Sequence, residues 1–139
     1  MLSYLVDTNI CVYLLRGRYH VDRKLEDVGS SNCGISEITI AELKFGAANS
    51  DRVSRQTALV NGFGSSIEVV PMDSSFEVYA HEKARLRKQG QIIDDFDLVI
   101  GATAIANDLI LVTNNEKHFF EAGRNYAGTL DFITPRSSF

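Results

Sequence analysis

The sequence predicts an α/β fold: a mainly parallel sheet of four to five strands flanked by helices, in one domain over residues 1–139. Three observations carry this expectation. Strand-like and helix-like segments alternate from end to end. The run Leu109-Ile110-Leu111-Val112-Thr113 lacks the alternation of a half-exposed strand, as a parallel strand covered on both faces does. The segment from Phe96 to Asn107 is apolar nearly all round, the mark of a helix buried between other elements.

Taken in order, Tyr4-Leu5-Val6 is a short strand that breaks at Asp7-Thr8-Asn9, three residues that favour helix N-caps. A helix then runs from about Asn9 to Arg16 and stops at Gly17, and Val21, Leu25 and Val28 mark a second amphipathic helix. Residues 29 to 32 form a turn and Cys33 to Ile35 a very short strand. Ser36 caps a helix with Ile38, Ala41, Phe45 and Ala48 on one stripe, and a weaker helix follows at 51 to 63. Ile67 to Val70 reads as a strand ended by Pro71. Ser74-x-x-Glu77 has the form of a capping box opening a helix with Phe76, Ala80, Ala84 and Leu86, closed by Gly90. After the acidic loop at 91 to 95, the apolar helix and the strand at 109 to 113, a short helix at about 115 to 122 and an edge strand at 130 to 133 complete the chain.

Composition narrows the function. A chain of 139 residues with 45% hydrophobic side chains can build a full core, and its two cysteines, Cys11 and Cys33, have neither zinc-site nor disulfide-framework spacing. A net charge of −4 excludes nucleic-acid binding by bulk electrostatics alone, so such a role needs local positive patches or a metal. Asp7 arrives before any apolar stretch long enough for a signal peptide, and no apolar run approaches the ~20 residues of a membrane span. The expectation is a soluble, cytoplasmic protein.

Three carboxylates carry the chemistry. In open parallel sheets ligands bind beyond the carboxyl ends of the strands, where Asp7 and the pair Asn114-Asn115 stand; taken alone, Asp7 could equally be a cap. Glu42 lies four residues after Ile38 and three before Phe45, so it shares their stripe, where a carboxylate needs a partner unless it reaches solvent at the edge. Asp97 sits in the first turn of the apolar helix, where the bland alternative is an acid favoured by the helix dipole. Together the three are hard to place except around a shared cation, since like charges ~4 Å apart repel by on the order of 4 kcal/mol at an effective dielectric of 20. Oxygen ligands without a histidine or cysteine set point to Mg²⁺ or Mn²⁺, and to phosphoryl transfer or phosphodiester hydrolysis.

The segments YLVDTNICVYLL at 4 to 15, ISEITIAELKFG at 35 to 46, DFDLVIGATAIAND at 95 to 108 and LVTNNEKHF at 111 to 119 resemble the four motifs of PIN-domain ribonucleases, and most of all those of VapC-type toxins. The resemblance spans nearly the whole chain in order and spacing. It implies a Mg²⁺- or Mn²⁺-dependent endoribonuclease that is paired with a VapB-type antitoxin and forms a homodimer. Asp7, Glu42 and Asp97 fall on the family's metal-binding acids. Asn115 stands where a fourth acid often lies, so one metal site is expected; Asp95 and Glu116 are near enough to assist, and Asp94 is left to loop solvation.

Under that resemblance Thr8, Thr113 and Asn115 orient water or ligands. Arg16, Arg18, Arg85, Arg87, Lys88, Lys117 and His118 are the side chains that could hold RNA phosphates, and Leu14, Leu15, Tyr19 and Phe45 could meet the antitoxin. Two alternatives stand beside it. One is a catalytically inactive PIN-type binding module. The other is a magnesium-dependent phosphohydrolase of the haloacid dehalogenase type, which needs an aspartate where this chain has Asn9.

Overall fold

In the computed structural model, which describes residues 1–114 and the backbone of 132–133, strand β1 (Tyr4–Val6) lies at the centre of a five-stranded parallel sheet. The order is β3 (Glu68–Val70), β2 (Cys33–Ser36), β1, β4 (Ile110–Val112) and β5 (Phe132–Ile133). From β1 the chain builds β2 and β3 to one side before crossing to β4 and β5 on the other. A crevice therefore opens beyond the carboxyl ends of β1 and β4, the switch point at which such sheets bind ligands. Register puts Val6 beside Val112, so the residues that follow them, Asp7 and Thr113, enter this crevice together.

Alternation along the strands feeds two apolar layers. Val6, Ile35 and Val112 pack with Ile10 and Cys11 of α1 (Thr8–Leu15), Val21 and Leu25 of α2 (Val21–Val28), Leu43 and Ala47 of α3 (Glu37–Ala48) and Val60 of α4 (Val53–Ser66). Leu5 and Leu111 face the other way, onto Ile100 and Ala104 of α6 (Asp95–Ala106). Helix α5 (Phe76–Lys88) lies outside α6, joined to it through Leu86 and Leu98. Covered on both faces, β1 and β4 can be apolar without alternation, and α6 buries an unbroken stretch from Ile100 to Ala104.

Helix ends follow the expected chemistry in most places. Asp7 caps α1, and Gly17 at φ +64° closes it with paired bonds from the Gly17 and Arg18 N–H groups to the Leu14 and Tyr13 carbonyls. Ser36 caps α3 through a 3.1 Å bond from the Ile38 N–H. The capping box at Ser74 does not form: residues 72 to 75 wind a 3₁₀ turn in which the Ser74 hydroxyl donates to the Pro71 carbonyl, and α5 starts after Ser75 without a side-chain cap. Proline at 71 sets up that tighter turn before a helix can begin.

Two apolar stripes are also corrected. On α3 the buried residues are Thr39, Leu43 and Ala47, while Ala41 and Ala48 are exposed and Phe45 is 69% exposed. The run ITIAELKFGAA is apolar on adjacent faces, and the entry angle fixed by β2 and the Ser36 cap, not period alone, chooses between them. On α5 only Leu86 of the expected set is buried, and Phe76 is 52% exposed.

The inner face of α5 instead carries Glu82, 3% exposed, whose carboxylate accepts a 2.7 Å bond from Arg85 Nη2. Breaking such a pair from one side leaves a charge buried alone. Arg85→Ala is therefore expected to lower stability by about 3 kcal/mol, while the exposed Arg87→Ala changes it by under about 0.5 kcal/mol. Urea denaturation midpoints of the two variants test this. No helix among the described residues is long and apolar enough to cross a membrane.

Candidate active site

Asp7 is the centre of the site and its backbone explains why. The chain leaves β1 with the Asp7 N–H donating to the Val112 carbonyl at 2.9 Å, then turns at once into α1. The side chain, 2% exposed, is divided between two tasks: Oδ1 accepts from the Thr8 N–H at 2.8 Å, and Oδ2 accepts from the Thr113 hydroxyl at 2.8 Å. Cap and site residue are thus the same carboxylate. Burial raises its pKa to about 6; the bonds from Thr113 and Thr8 oppose the rise, and the charges of Asp97 and Glu42 add to it.

Glu42 arrives from α3. It is half-buried, and its Oε1 accepts a 2.7 Å bond from the Thr8 hydroxyl, so Thr8 holds Asp7 by its amide and Glu42 by its side chain. Burial pushes the Glu42 carboxyl above its ordinary range; Thr8 opposes this, and Asp97 and Asp94 reinforce it. Asp97 comes from the first turn of α6, where Asp94 Oδ2 accepts from the Phe96 and Asp97 N–H groups. Three chain segments far apart in sequence therefore bring three carboxylates into one electrostatic field. Among the described residues, no three acid, histidine or cysteine side chains close into a metal cage by themselves.

The sequence profile of the PIN domain family matches residues 4–125. The chain belongs to the PIN domain family. Within it the chain sits with the VapC group. It is similar to a Shigella flexneri protein named tRNA(fMet)-specific endonuclease VapC, 32% identical over 124 residues that cover 88% of this chain and 94% of the relative. It is also similar to Rickettsia felis Ribonuclease VapC2, 36% identical over 123 residues covering 85% and 90%. Among solved structures, a chain of the DNA-bound VapBC complex of Salmonella typhimurium superposes with a TM-score of 0.86 at 28% identity, covering 97% of this chain and 99% of that one.

Within this PIN domain the structure brings together Asp7, Glu42, Asp97, Thr8 and Thr113. It commits Asp95 elsewhere: Oδ1 accepts from Tyr79 at 2.9 Å and pairs with Lys83 at 2.8 Å on α5, because two residues along a helix point to opposite sides. Asp94, assigned to loop solvation from the sequence, is the N-cap of α6. Asn115, Glu116, Lys117, His118 and the helix expected at 115 to 122 lie outside the described residues.

One group at the site has no counterpart in the sequence reading. Thr39, fully buried on α3, places its Oγ1 2.9 Å from that of Thr8. Asn114, expected from the sequence at the carboxyl end of β4, donates from Nδ2 to the Tyr13 hydroxyl at 2.6 Å, fastening the exit of that strand to α1. The available signal for Thr39 was its place three residues before Glu42 on one helix.

Proposed function

We propose that this PIN domain is a metal-dependent endoribonuclease that hydrolyses RNA phosphodiester bonds as the toxin of a toxin–antitoxin pair. The observation that carries the reading is Asp7, buried at the sheet's switch point and coupled to Glu42 and Asp97, in a chain with VapC ribonuclease relatives along nearly its whole length. Three carboxylates are hard oxygen donors of the kind a divalent cation prefers, and Mg²⁺ or Mn²⁺ is the ion proposed. Asp7, Glu42 and Asp97 would hold it, with Asn115 as a neutral fourth position. Such an ion, when bound, lowers the pKa of a coordinated water and neutralises charge developing on phosphate.

The chain's own groups have separable roles in this reading. Thr113 and the Thr8 amide fix the two oxygens of Asp7, so the carboxylate cannot rotate away. Thr8 holds Glu42, and the α6 cap at Asp94 sets the turn that presents Asp97. Arg16 and Arg18, exposed beyond α1, and Arg87 and Lys88, exposed at the end of α5, are free of the Glu82 pairing that occupies Arg85 and are the proposed phosphate contacts.

The proposed partner is a VapB-type antitoxin, the functional unit is a homodimer, and the compartment is the cytoplasm, where buried free thiols such as Cys11 and Cys33 persist. The test is cleavage of structured RNA, transfer RNA included, by the purified chain with Mg²⁺ or Mn²⁺ and with EDTA, followed by sequencing of the new 5′ ends. Expression should arrest growth, and the small protein encoded beside it should restore growth. Binding of RNA without cleavage would favour the inactive module.

A further inference from the structure

We propose that Thr39 is a positioning residue for Glu42, acting through the hydroxyl of Thr8 to hold the carboxylate toward the cation site. The inference rests on the reading of Asp7, Glu42 and Asp97 as cation-holding groups. Its observations are the buried Thr39 side chain, the 2.9 Å contact between its Oγ1 and that of Thr8, and the 2.7 Å bond from Thr8 Oγ1 to Glu42 Oε1.

The contact of two hydroxyls leaves the donor open by distance alone, but proton counting assigns it. Each hydroxyl has one proton and two lone pairs, and an ionised carboxylate only accepts. Thr8 has given its proton to Glu42, so Thr39 must donate to Thr8. The chain of bonds runs in one direction, from Thr39 to Thr8 to Glu42. It matters because a threonine in a helix has more than one accessible rotamer, and a donor aimed at its oxygen selects one. With that rotamer chosen, the Thr8 proton points at Glu42 while the Thr8 amide remains on Asp7, at 2.8 Å. One buried hydroxyl thereby fixes the separation of two carboxylates that come from different elements.

Thr39 and Glu42 are three residues apart on α3, so the helix itself holds the two ends of the chain at constant spacing, with Thr8 of α1 between them. A valine at 39 preserves the branched shape and removes the proton. Shape and proton are thus separable by substitution.

The experiment uses the purified full chain as wild type, Thr39→Val, Thr39→Ser, Thr8→Val and the Thr8→Val/Thr39→Val double variant, with Mn²⁺ affinity read by calorimetry without RNA and kcat and KM read on RNA. Thr39→Val is expected to weaken Mn²⁺ binding about tenfold or more and to lower kcat similarly, with KM for RNA little changed; Thr39→Ser restores both. Because Thr39 acts only through Thr8, the double variant should bind Mn²⁺ as Thr8→Val alone does. Unchanged Mn²⁺ affinity in Thr39→Val, or losses that multiply in the double variant, overturns the proposal. Should Thr39→Val fail to fold, Thr39→Ala takes its place against Thr39→Ser, and equal Mn²⁺ affinity of those two overturns it as well. A wild-type chain that neither binds Mn²⁺ nor cleaves RNA overturns the underlying reading of the site instead.

Discussion

Asp97→Asn should reduce RNA cleavage by about a thousandfold or more, a loss of ~4 kcal/mol in transition-state stabilisation, while leaving the fold intact. Asp97 is half-exposed in the first turn of α6, and Asn is nearly isosteric with it, so the change removes charge without opening a cavity. Glu42→Gln should behave alike, because the amide oxygen can still accept from Thr8. If the three carboxylates act as one unit, adding Glu42→Gln to Asp97→Asn costs much less than the product of the single losses. Excess EDTA should reproduce the loss in the wild type, and Mn²⁺ should reverse it. Full activity in EDTA or in Asp97→Asn would contradict the reading, and thermal melts of each variant guard against mistaking unfolding for lost chemistry.

The features legible in the sequence are those that local chemistry dictates. The strand–Asp–helix transition at 6 to 8 was readable because Val6 ends an apolar run and Asp7 can cap. The covered helix and strand at 95 to 112 were readable because no surface element can be apolar all round. Even the convergence of Asp7 with the end of β4 follows from parallel topology alone. What local chemistry leaves open is decided by packing between elements. The face of α3 depends on how β2 delivers it, so Phe45, which the apolar stripe alone would turn inward, lies exposed. Asp95 is near enough to the site in sequence to assist, yet Tyr79 and Lys83 of another helix claim it. Thr39 is hard to read for the same reason: its partner is Thr8, thirty-one residues away, and its spacing to Glu42 is the one local signal it offers.

Asp7→Asn is expected to do something opposite to most substitutions of a buried polar residue and raise the stability of the metal-free protein at neutral pH. The Asp7 carboxyl titrates near 6 in the folded chain, against an ordinary 3.8. Between those values the folded state keeps a proton that the unfolded state has released. The contribution of this group is therefore present in full below about pH 4 and is lost as pH rises through 6, standing above that as a penalty of about 3 kcal/mol. Asparagine carries no charge, and its oxygen can keep the cap on the Thr8 N–H. The variant should accordingly exceed the wild type by about 2–3 kcal/mol at pH 7.5 in EDTA, and the difference should shrink toward zero or reverse by pH 4. Mn²⁺ at about a hundredfold excess over Kd should stabilise the wild type by ~2.7 kcal/mol and the variant far less. Urea melts of both proteins at the two pH values, each with and without Mn²⁺, give all four comparisons. A gap between the two proteins that is the same at pH 4 and pH 7.5 would mean that burial puts no strain on the Asp7 charge and that the residue is an ordinary helix cap.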